Sequence, residues 1–171
     1  MPHPRKSQTN AAEALVAVAP LVSRWIERLL AAHEPPLTVS QYLALRAVAR
    51  EQLTGSELAR RTGVSGPAVS QLLATLEAAG MLERRHNPDD RRHQTLMLTD
   101  AGAAAYRSAA ASLRQSVAQL LTDVPPPEAD ALGRALPQVE ALLAGTPPPR
   151  RPHHAPKPPP PPPRGRPGGA G

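Results

Sequence analysis

Apolar residues recur at helical spacing along most of the chain, and one short stretch near the middle has the alternation of a strand. The first helical stretch covers 11–33. Its apolar positions are Leu15, Val18, Leu21, Val22, Trp25, Ile26, Leu29 and Leu30. Pro20 lies inside this stretch and predicts a kink or a division of the helix. The apolar content exceeds what a three-helix module can cover, so we expect a partner chain.

Three further helices are predicted outside the centre of the chain. A capping box of Thr38 and Gln41 opens a helix that extends to about Arg50. Its residues expected to face inward are Leu43, Ala47 and Val48. Thr99 is the predicted cap of a long helix over 100–124, and a last helix follows over 128–143. Pro137 predicts a bend or a later start in that last helix.

The centre of the chain predicts two short helices joined by a tight turn. Thr54 and Glu57 form a second capping box, and Gly63 supplies the turn between the helices. Ser65 is the expected N-cap of the second helix, which has Pro67 in its first turn. Its core stripe is Val69, Leu72, Leu73 and Leu76. Gly80 follows the helix where a left-handed cap is needed.

The opposite face of the second helix carries small or hydrogen-bonding residues and no acid. These residues are Ser65, Gly66, Pro67, Ala68, Ser70, Gln71, Ala74 and Thr75. A helix that lies in the major groove of DNA needs low bulk there, with amides or hydroxyls that reach bases and phosphates. The alternative is an alanine-rich helix packed against another helix. That alternative would bury Ser70, Gln71 and Thr75, which would then need polar partners.

A two-stranded hairpin with an arginine-rich tip follows the two helices. The outgoing strand contains Arg84 and Arg85, residues 87–90 form the turn, and the return strand covers 93–98. Arg91 and Arg92 are expected just past the tip, where a guanidinium can enter a narrow minor groove. Asp90 is expected to pair with one of them and hold it in position. The alternative is a solvated hairpin with an incidental ion pair.

Composition excludes several other classes of protein. The 171 residues include no cysteine, so disulfides, thiol redox sensing and cysteine-containing zinc sites are excluded. No apolar run approaches a membrane span and no signal peptide is present, so we expect a cytoplasmic protein. No catalytic triad, phosphate-binding glycine loop or carboxylate pair is evident, so neither an enzyme nor a cofactor is expected. His33, His86 and His93 show no helical pairing, so no metal site is expected.

The net charge of +6 belongs mostly to the C-terminal tail. Residues 146–171 contain five basic residues and no acid, so subtracting them leaves +1 for residues 1–145. The tail also holds 12 of the 23 prolines. It is expected to be disordered or polyproline II. A proline-motif ligand, a cationic arm for DNA and a segment without a role all remain open.

Three segments of the chain together resemble the MarR (multiple antibiotic resistance regulator) family of bacterial transcription regulators. They are residues 37–48, the helix-turn-helix 56–85, and 89–102. In the last segment, Asp90, Arg92, Leu98, Thr99 and Gly102 occupy the family's wing and Leu-Thr-x-x-Gly positions. Family members often have basic residues where this chain has Gln71 and Thr75. Phosphate neutralisation therefore shifts toward Arg84, Arg85, Arg91 and Arg92.

The resemblance implies a mainly α fold with a small β-hairpin wing, in which a winged helix-turn-helix domain joins a helical dimerisation region. We expect a flexible N-terminus (1–10), a MarR-type domain (11–145) and a disordered tail (146–171). The DNA-binding lobe is expected at about 38–99, and the dimerisation helices at about 11–33 and 100–145.

The implied function is a homodimeric repressor that binds double-stranded DNA at a pseudopalindromic operator and is relieved by a small aromatic or anionic effector. Trp25, His33 and Tyr42 are candidates for the effector cavity. Alternatively, Trp25 and Tyr42 fill gaps in an aromatic-poor core. A sequence-tolerant architectural DNA-binding protein and a transcriptional activator also remain open.

Overall fold

A computed structural model describes residues 5–62, 64–87 and 90–145 of the chain. By internal contacts the chain divides into residues 1–133 and 134–171, and the second unit is described to Gly145. The elements are α1 (Lys6–Ala31), α2 (Val39–Arg50), β1 (Leu53–Thr54), α3 (Gly55–Thr62), α4 (Gly66–Ala78), β2 (Leu82–Asn87), β3 (Asp90–Leu98), α5 (Asp100–Leu120) and α6 (Pro126–Gly145). A short 3₁₀ turn, Leu121–Asp123, follows α5. The predicted mainly α fold with a small β wing is confirmed.

The sheet has three antiparallel strands in the order β1-β3-β2. The predicted hairpin is present, with Leu82 opposite Leu98 and Arg84 opposite Leu96. The short strand β1 was not predicted; in it, Leu53 pairs with Leu96 on the other side of β3. The return strand begins at Asp90 rather than His93. Strand β1 pairs with β3, which is distant from it in sequence. Local sequence patterns therefore do not show how many strands the sheet has or where each begins.

The core is aliphatic and collects side chains from α1, α2, α3, α4 and the sheet. Its fully buried large side chains are Leu30, Leu45, Leu58, Leu73, Leu76 and Leu96. The predicted stripe of α4 is confirmed, since Val69 is also buried and Leu72 packs against the core. The prediction that Leu43 faces inward is wrong. That side chain is exposed, and Ala44 and Leu45 are buried in its place because α2 packs at a different phase.

Local capping bonds explain where three helices begin. The Gln41 amide donates to the Thr38 hydroxyl at 3.1 Å, and the Thr38 amide donates to the Gln41 side chain at 2.8 Å. The Thr54 amide donates to the Glu57 carboxylate at 2.7 Å. Both predicted capping boxes are therefore confirmed. Thr99 caps α5 as predicted, through a 3.0 Å bond from the Gly102 amide.

The prolines interrupt the helices less than predicted. Helix α1 begins at Lys6 rather than Ala11 and continues through Pro20 as one element, so the predicted division is wrong. One proline removes a single backbone bond, and the flanking turns hold the helix together. Helix α6 begins at Pro126 because the first turn of a helix needs no backbone donor there, and it continues through Pro137. None of the described helices is long and apolar enough to cross a bilayer.

Candidate nucleic-acid interface

The face of α4 opposite the core is open to solvent. Every residue assigned to this face by the sequence is exposed: Ser65, Gly66, Pro67, Ala68, Ser70, Gln71, Ala74 and Thr75. On the other side, Val69, Leu73 and Leu76 are buried. Within the residues that the structure describes, this face is therefore not packed against another helix of the same chain, as the alternative required. The exposed face is called the recognition face below.

Ser65 lies at the N-cap of α4, but its hydroxyl does not perform the predicted capping role. The backbone of Ser65 is extended, and its carbonyl accepts the Val69 amide at 3.0 Å. No side-chain capping bond forms at this end of the described helix. Pro67 has no N–H to contribute, but the other first-turn amides of a helix have no intrahelical acceptor and suit an anion such as a phosphate.

Ser70, Gln71 and Thr75 differ in the hydrogen-bonding groups they can offer. The Thr75 hydroxyl donates to the Gln71 backbone carbonyl at 2.9 Å, so the helix itself uses that donor. The Gln71 amide side chain is exposed and lies about one turn from the helix start. A carboxamide can contact an adenine through two hydrogen bonds, which a hydroxyl cannot do. Gln71 is therefore the side chain on this face best suited to reading a base.

The two described arginines of the wing are engaged in ion pairs. The Arg84 guanidinium contacts the Glu77 carboxylate at 2.5 Å and 3.5 Å, which links β2 to the end of α4. Arg85 contacts Glu83 on its own strand at 2.8 Å. Glu77 is not among the residues that the sequence pattern singled out. The sequence feature that could have indicated this ion pair is the position of Glu77 in the last turn of α4, seven residues before Arg84.

Residues 88–89, between β2 and β3, lie outside the residues that the structure describes. Asp90, Arg91 and Arg92 lie at the start of β3, with Asp90 opposite Asn87. Arg91 and Arg92 therefore come just past the turn, as predicted, whereas Asp90 belongs to the strand rather than to the turn. Their side chains lie outside the described part of the chain, and so does the predicted Asp90–arginine pair. The roles assigned to these three residues stay predictions.

An open cleft of about 410 Å³ lies between α3, the recognition helix α4 and the sheet. Ser56, Ser70 and Arg84 are among the residues that line it. Beside it, Glu57 takes part in the capping box. The Thr54 backbone amide, followed by the Thr54 hydroxyl, holds the pKa of that carboxyl below its usual range. On the neighbouring surface, the Arg61 guanidinium lowers the pKa of the Glu51 carboxyl through a bidentate contact.

The three candidate effector residues are not gathered in one described cleft. His33 contacts the Pro35 carbonyl and the Ser108 hydroxyl, each at 3.0 Å, and so ties the end of α1 to α5. The Tyr42 ring lies 5.8 Å from that of Tyr106, centre to centre. Trp25 is half-buried on α1. Among the described residues, no group of three or more potential metal ligands comes together.

Comparison with known proteins identifies the family. The family model described as MarR family matches residues 36–93, which span α2, the helix-turn-helix and most of the wing. This segment of the chain belongs to the MarR family. The chain is 28% identical to an HTH-type transcriptional regulator of Mycobacterium bovis, Mb0904, over 113 residues. The match covers 66% of this chain and 79% of the relative.

Solved structures of MarR-family regulators have the same fold as this protein. Wild-type apo MarR from E. coli superposes with a TM-score of 0.66 at 25% identity, covering 75% of this chain and 95% of that one. Streptococcus pneumoniae FabT, solved in complex with DNA, has a TM-score of 0.66 at 20% identity, with 79% and 96% covered. The protein therefore has the winged-helix DNA-binding fold of MarR-family transcriptional regulators.

Proposed function

We propose that the protein is a homodimeric repressor that binds a pseudopalindromic operator and releases it when a small effector binds. The observation that carries the proposal is the recognition face, an exposed and acid-free surface at the start of a helix. The helix-turn-helix places such a surface in the major groove. In a twofold dimer the two recognition helices would lie roughly 34 Å apart, one turn of duplex DNA.

The dimer is supported by apolar side chains that the single chain leaves uncovered. On α1, Val16 is 73% exposed and Leu21 is 58% exposed. On α5, Leu120 is 59% exposed. Several large apolar side chains left exposed on the helices assigned to the dimer support an interaction site there. A second copy of the chain is the proposed partner, because the family resemblance assigns the dimer to the terminal helices.

The effector is proposed to be an aromatic anion that binds near Tyr42. Burial, and secondly the neighbouring Tyr106, raise the pKa of the Tyr42 hydroxyl, while the charges of Arg46, Arg114 and Arg50 act against that shift. The Tyr42 hydroxyl therefore lies within the electrostatic reach of three guanidinium groups, and the Tyr106 ring lies beside the Tyr42 ring. This combination suits a flat ring that carries a carboxylate.

DNA binding is tested by fluorescence anisotropy with duplexes from the chain's own promoter region. We expect Gln71→Ala to lower affinity for the best duplex by about 1–3 kcal/mol and to relax sequence preference. Arg85→Ala should weaken binding to all duplexes and flatten the salt dependence. Gln119→Ala and Arg134→Ala are the matched controls, because they remove the same exposed groups outside α3, α4 and the sheet.

Competition with random duplex separates the regulator from an architectural DNA-binding protein. Specific binding should survive a large excess of random DNA. Equal affinity for both duplexes would refute the operator proposal. A promoter–reporter fusion tests repression: expression should fall when the protein is supplied, and a rise would instead indicate an activator.

The dimer and the effector have independent tests. Sedimentation should give twice the chain mass, and Leu21→Glu should shift the protein toward monomer, whereas Arg28→Glu on the same helix should not. Benzoate is the probe for the effector site: it should raise the melting temperature and weaken operator binding. Arg114→Ala should abolish both effects, while Arg134→Ala should retain them. A monomeric wild-type protein would refute the dimer.

A further inference from the structure

The recognition helix ends in a tightly bonded turn. The Met81 amide donates to the Leu76 carbonyl and the Gly80 amide donates to the Glu77 carbonyl, each at 2.9 Å. Gly80 has a φ of 67°, the left-handed conformation that glycine adopts without strain. These bonds form a Schellman motif, which fixes the direction in which the chain leaves the helix.

That turn is bonded directly to the first residue before α5. The Thr99 hydroxyl donates to the Gly80 carbonyl at 2.6 Å, and the Thr99 amide donates to the Met81 carbonyl at 3.3 Å. The same hydroxyl accepts the Gly102 amide at 3.0 Å and so caps α5. One side-chain oxygen therefore joins the end of the recognition helix to the start of the long helix.

Gly102 allows the two helix ends to approach this closely. A Cβ atom added at Gly102 would lie 1.8 Å from the Met81 carbonyl oxygen and 2.7 Å from its carbon. Both contacts are with backbone, so no side-chain movement can relieve them. The contact can accommodate only a glycine, although alanine is the better helix former.

We propose that Gly80, Met81, Thr99 and Gly102 form a joint that sets the angle between α4 and α5, and that Thr99 and Gly102 are positioning residues for operator binding. This inference rests on the proposed function, in which α5 continues into the dimerisation region. A twofold operator is read only when both recognition helices have the correct separation and tilt. Because the joint bonds the start of α5 to the end of α4, a change in its geometry would change the tilt of α4 relative to α5.

Two substitutions and two matched controls test the joint. Thr99→Val removes the hydroxyl and with it both the cap and the bond to Gly80. Thr38→Val removes a cap hydroxyl of the same kind at α2. Gly102→Ala introduces the clash, and Gly133→Ala changes another helical glycine that has nothing within 4 Å of the added atom. Thr99→Ser keeps the hydroxyl and is the rescue variant.

Operator affinity is measured by anisotropy at a temperature where circular dichroism shows each variant fully folded. We expect Thr99→Val and Gly102→Ala to lower operator affinity by about tenfold or more, with affinity for random duplex changed less than about twofold. Thr99→Ser, Thr38→Val and Gly133→Ala should remain within about twofold of wild type. A folded Thr99→Val protein with wild-type operator affinity, or an equal loss in Thr38→Val, would overturn the inference.

A distance measurement keeps the test independent of DNA. Because the chain has no cysteine, Ala74→Cys on α4 and Ser112→Cys on α5 provide two exposed labelling positions in an otherwise unreactive protein. Spin labels are attached to the two cysteines, and labelled chains are diluted with unlabelled chains. Pulsed electron paramagnetic resonance then gives the distance between the two labels of one protomer. Wild type should show one narrow distribution, and Thr99→Val a broader or shifted one. An unchanged distance distribution in Thr99→Val refutes the joint. If the distribution does change but the wild-type protein does not prefer the operator over random DNA, only the proposed function is refuted.

Discussion

The ion pair between Glu77 and Arg84 predicts that an uncharged residue at 77 strengthens DNA binding. The two groups meet at the end of the recognition helix, 37% exposed at Arg84 and 32% exposed at Glu77. In the free protein the Glu77 carboxylate is paired with the Arg84 guanidinium, which a DNA phosphate would otherwise contact. Glu77→Gln keeps the shape of the side chain and removes its charge. We therefore expect Arg84 to gain a phosphate contact in the complex.

The size of the effect follows from counterion release. One additional phosphate contact steepens the dependence of log K on log salt by about 0.9. Between about 200 and about 50 mM salt, affinity should then rise about 3.5-fold more in Glu77→Gln than in wild type. The cost to folding is small, because a partly exposed ion pair contributes about 0.2–1 kcal/mol. Fluorescence anisotropy over a salt series measures the slope, and urea unfolding measures the stability.

The control removes a carboxylate that has no part in the interface. Glu128→Gln on α6 lowers the negative charge equally and should leave the salt slope unchanged. If Glu77→Gln binds less tightly than wild type, or has the wild-type slope, then Glu77 does not compete with DNA for Arg84. The ion pair would in that case act as a support that orients the arginine.

Four further predictions concern stability and the tail. Leu76→Ala should lower the free energy of unfolding by about 2–5 kcal/mol in urea, since Leu76 is fully buried, and a smaller loss would contradict that packing. Gly80→Ala should lower it by about 1–2 kcal/mol because of its positive φ; an unchanged melting temperature would count against this conformation. Because the pKa of Glu57 is lowered in the folded protein, its carboxylate should stabilise the fold above about pH 4.3, the ordinary pKa of a glutamate. That stabilisation should disappear as pH falls through the lowered pKa. Glu57→Gln should therefore make the melting temperature less sensitive to acid, and identical pH-dependent melting profiles for the two proteins would contradict this. Deletion of residues 146–171 should leave specific DNA affinity largely intact, and a large loss would disprove the assignment of specificity to the folded part.

Features that depend on neighbours in the sequence were predictable. The capping boxes at Thr38 and Thr54 involve residues three positions apart, so the pattern of residue types contains the whole interaction. The same holds for the cap at Thr99 and for the positive φ at Gly80. The recognition face was predictable because helical periodicity alone separates the two sides of α4.

Features that depend on distant partners were not predictable. Strand β1 has two residues and no periodic pattern, and it exists because Leu53 pairs with Leu96 across the sheet. The inward side of α2 is set by what packs on it, so periodicity placed Leu43 wrongly. The engagement of Arg84 by Glu77 also lies beyond pattern reading, because a charged pair requires the hairpin to return beside the helix.

The strand order leaves β2 with one side that no described strand covers, whereas β3 is enclosed by β1 and β2. An uncovered strand offers its backbone to another chain and invites strand addition, which leads to aggregation. Strand β2 carries three consecutive charged residues, Glu83, Arg84 and Arg85. Charges on such a strand oppose strand addition, because a docking strand would have to desolvate them. The same arginines that serve a nucleic acid in our proposal thus also protect the sheet against unwanted self-association.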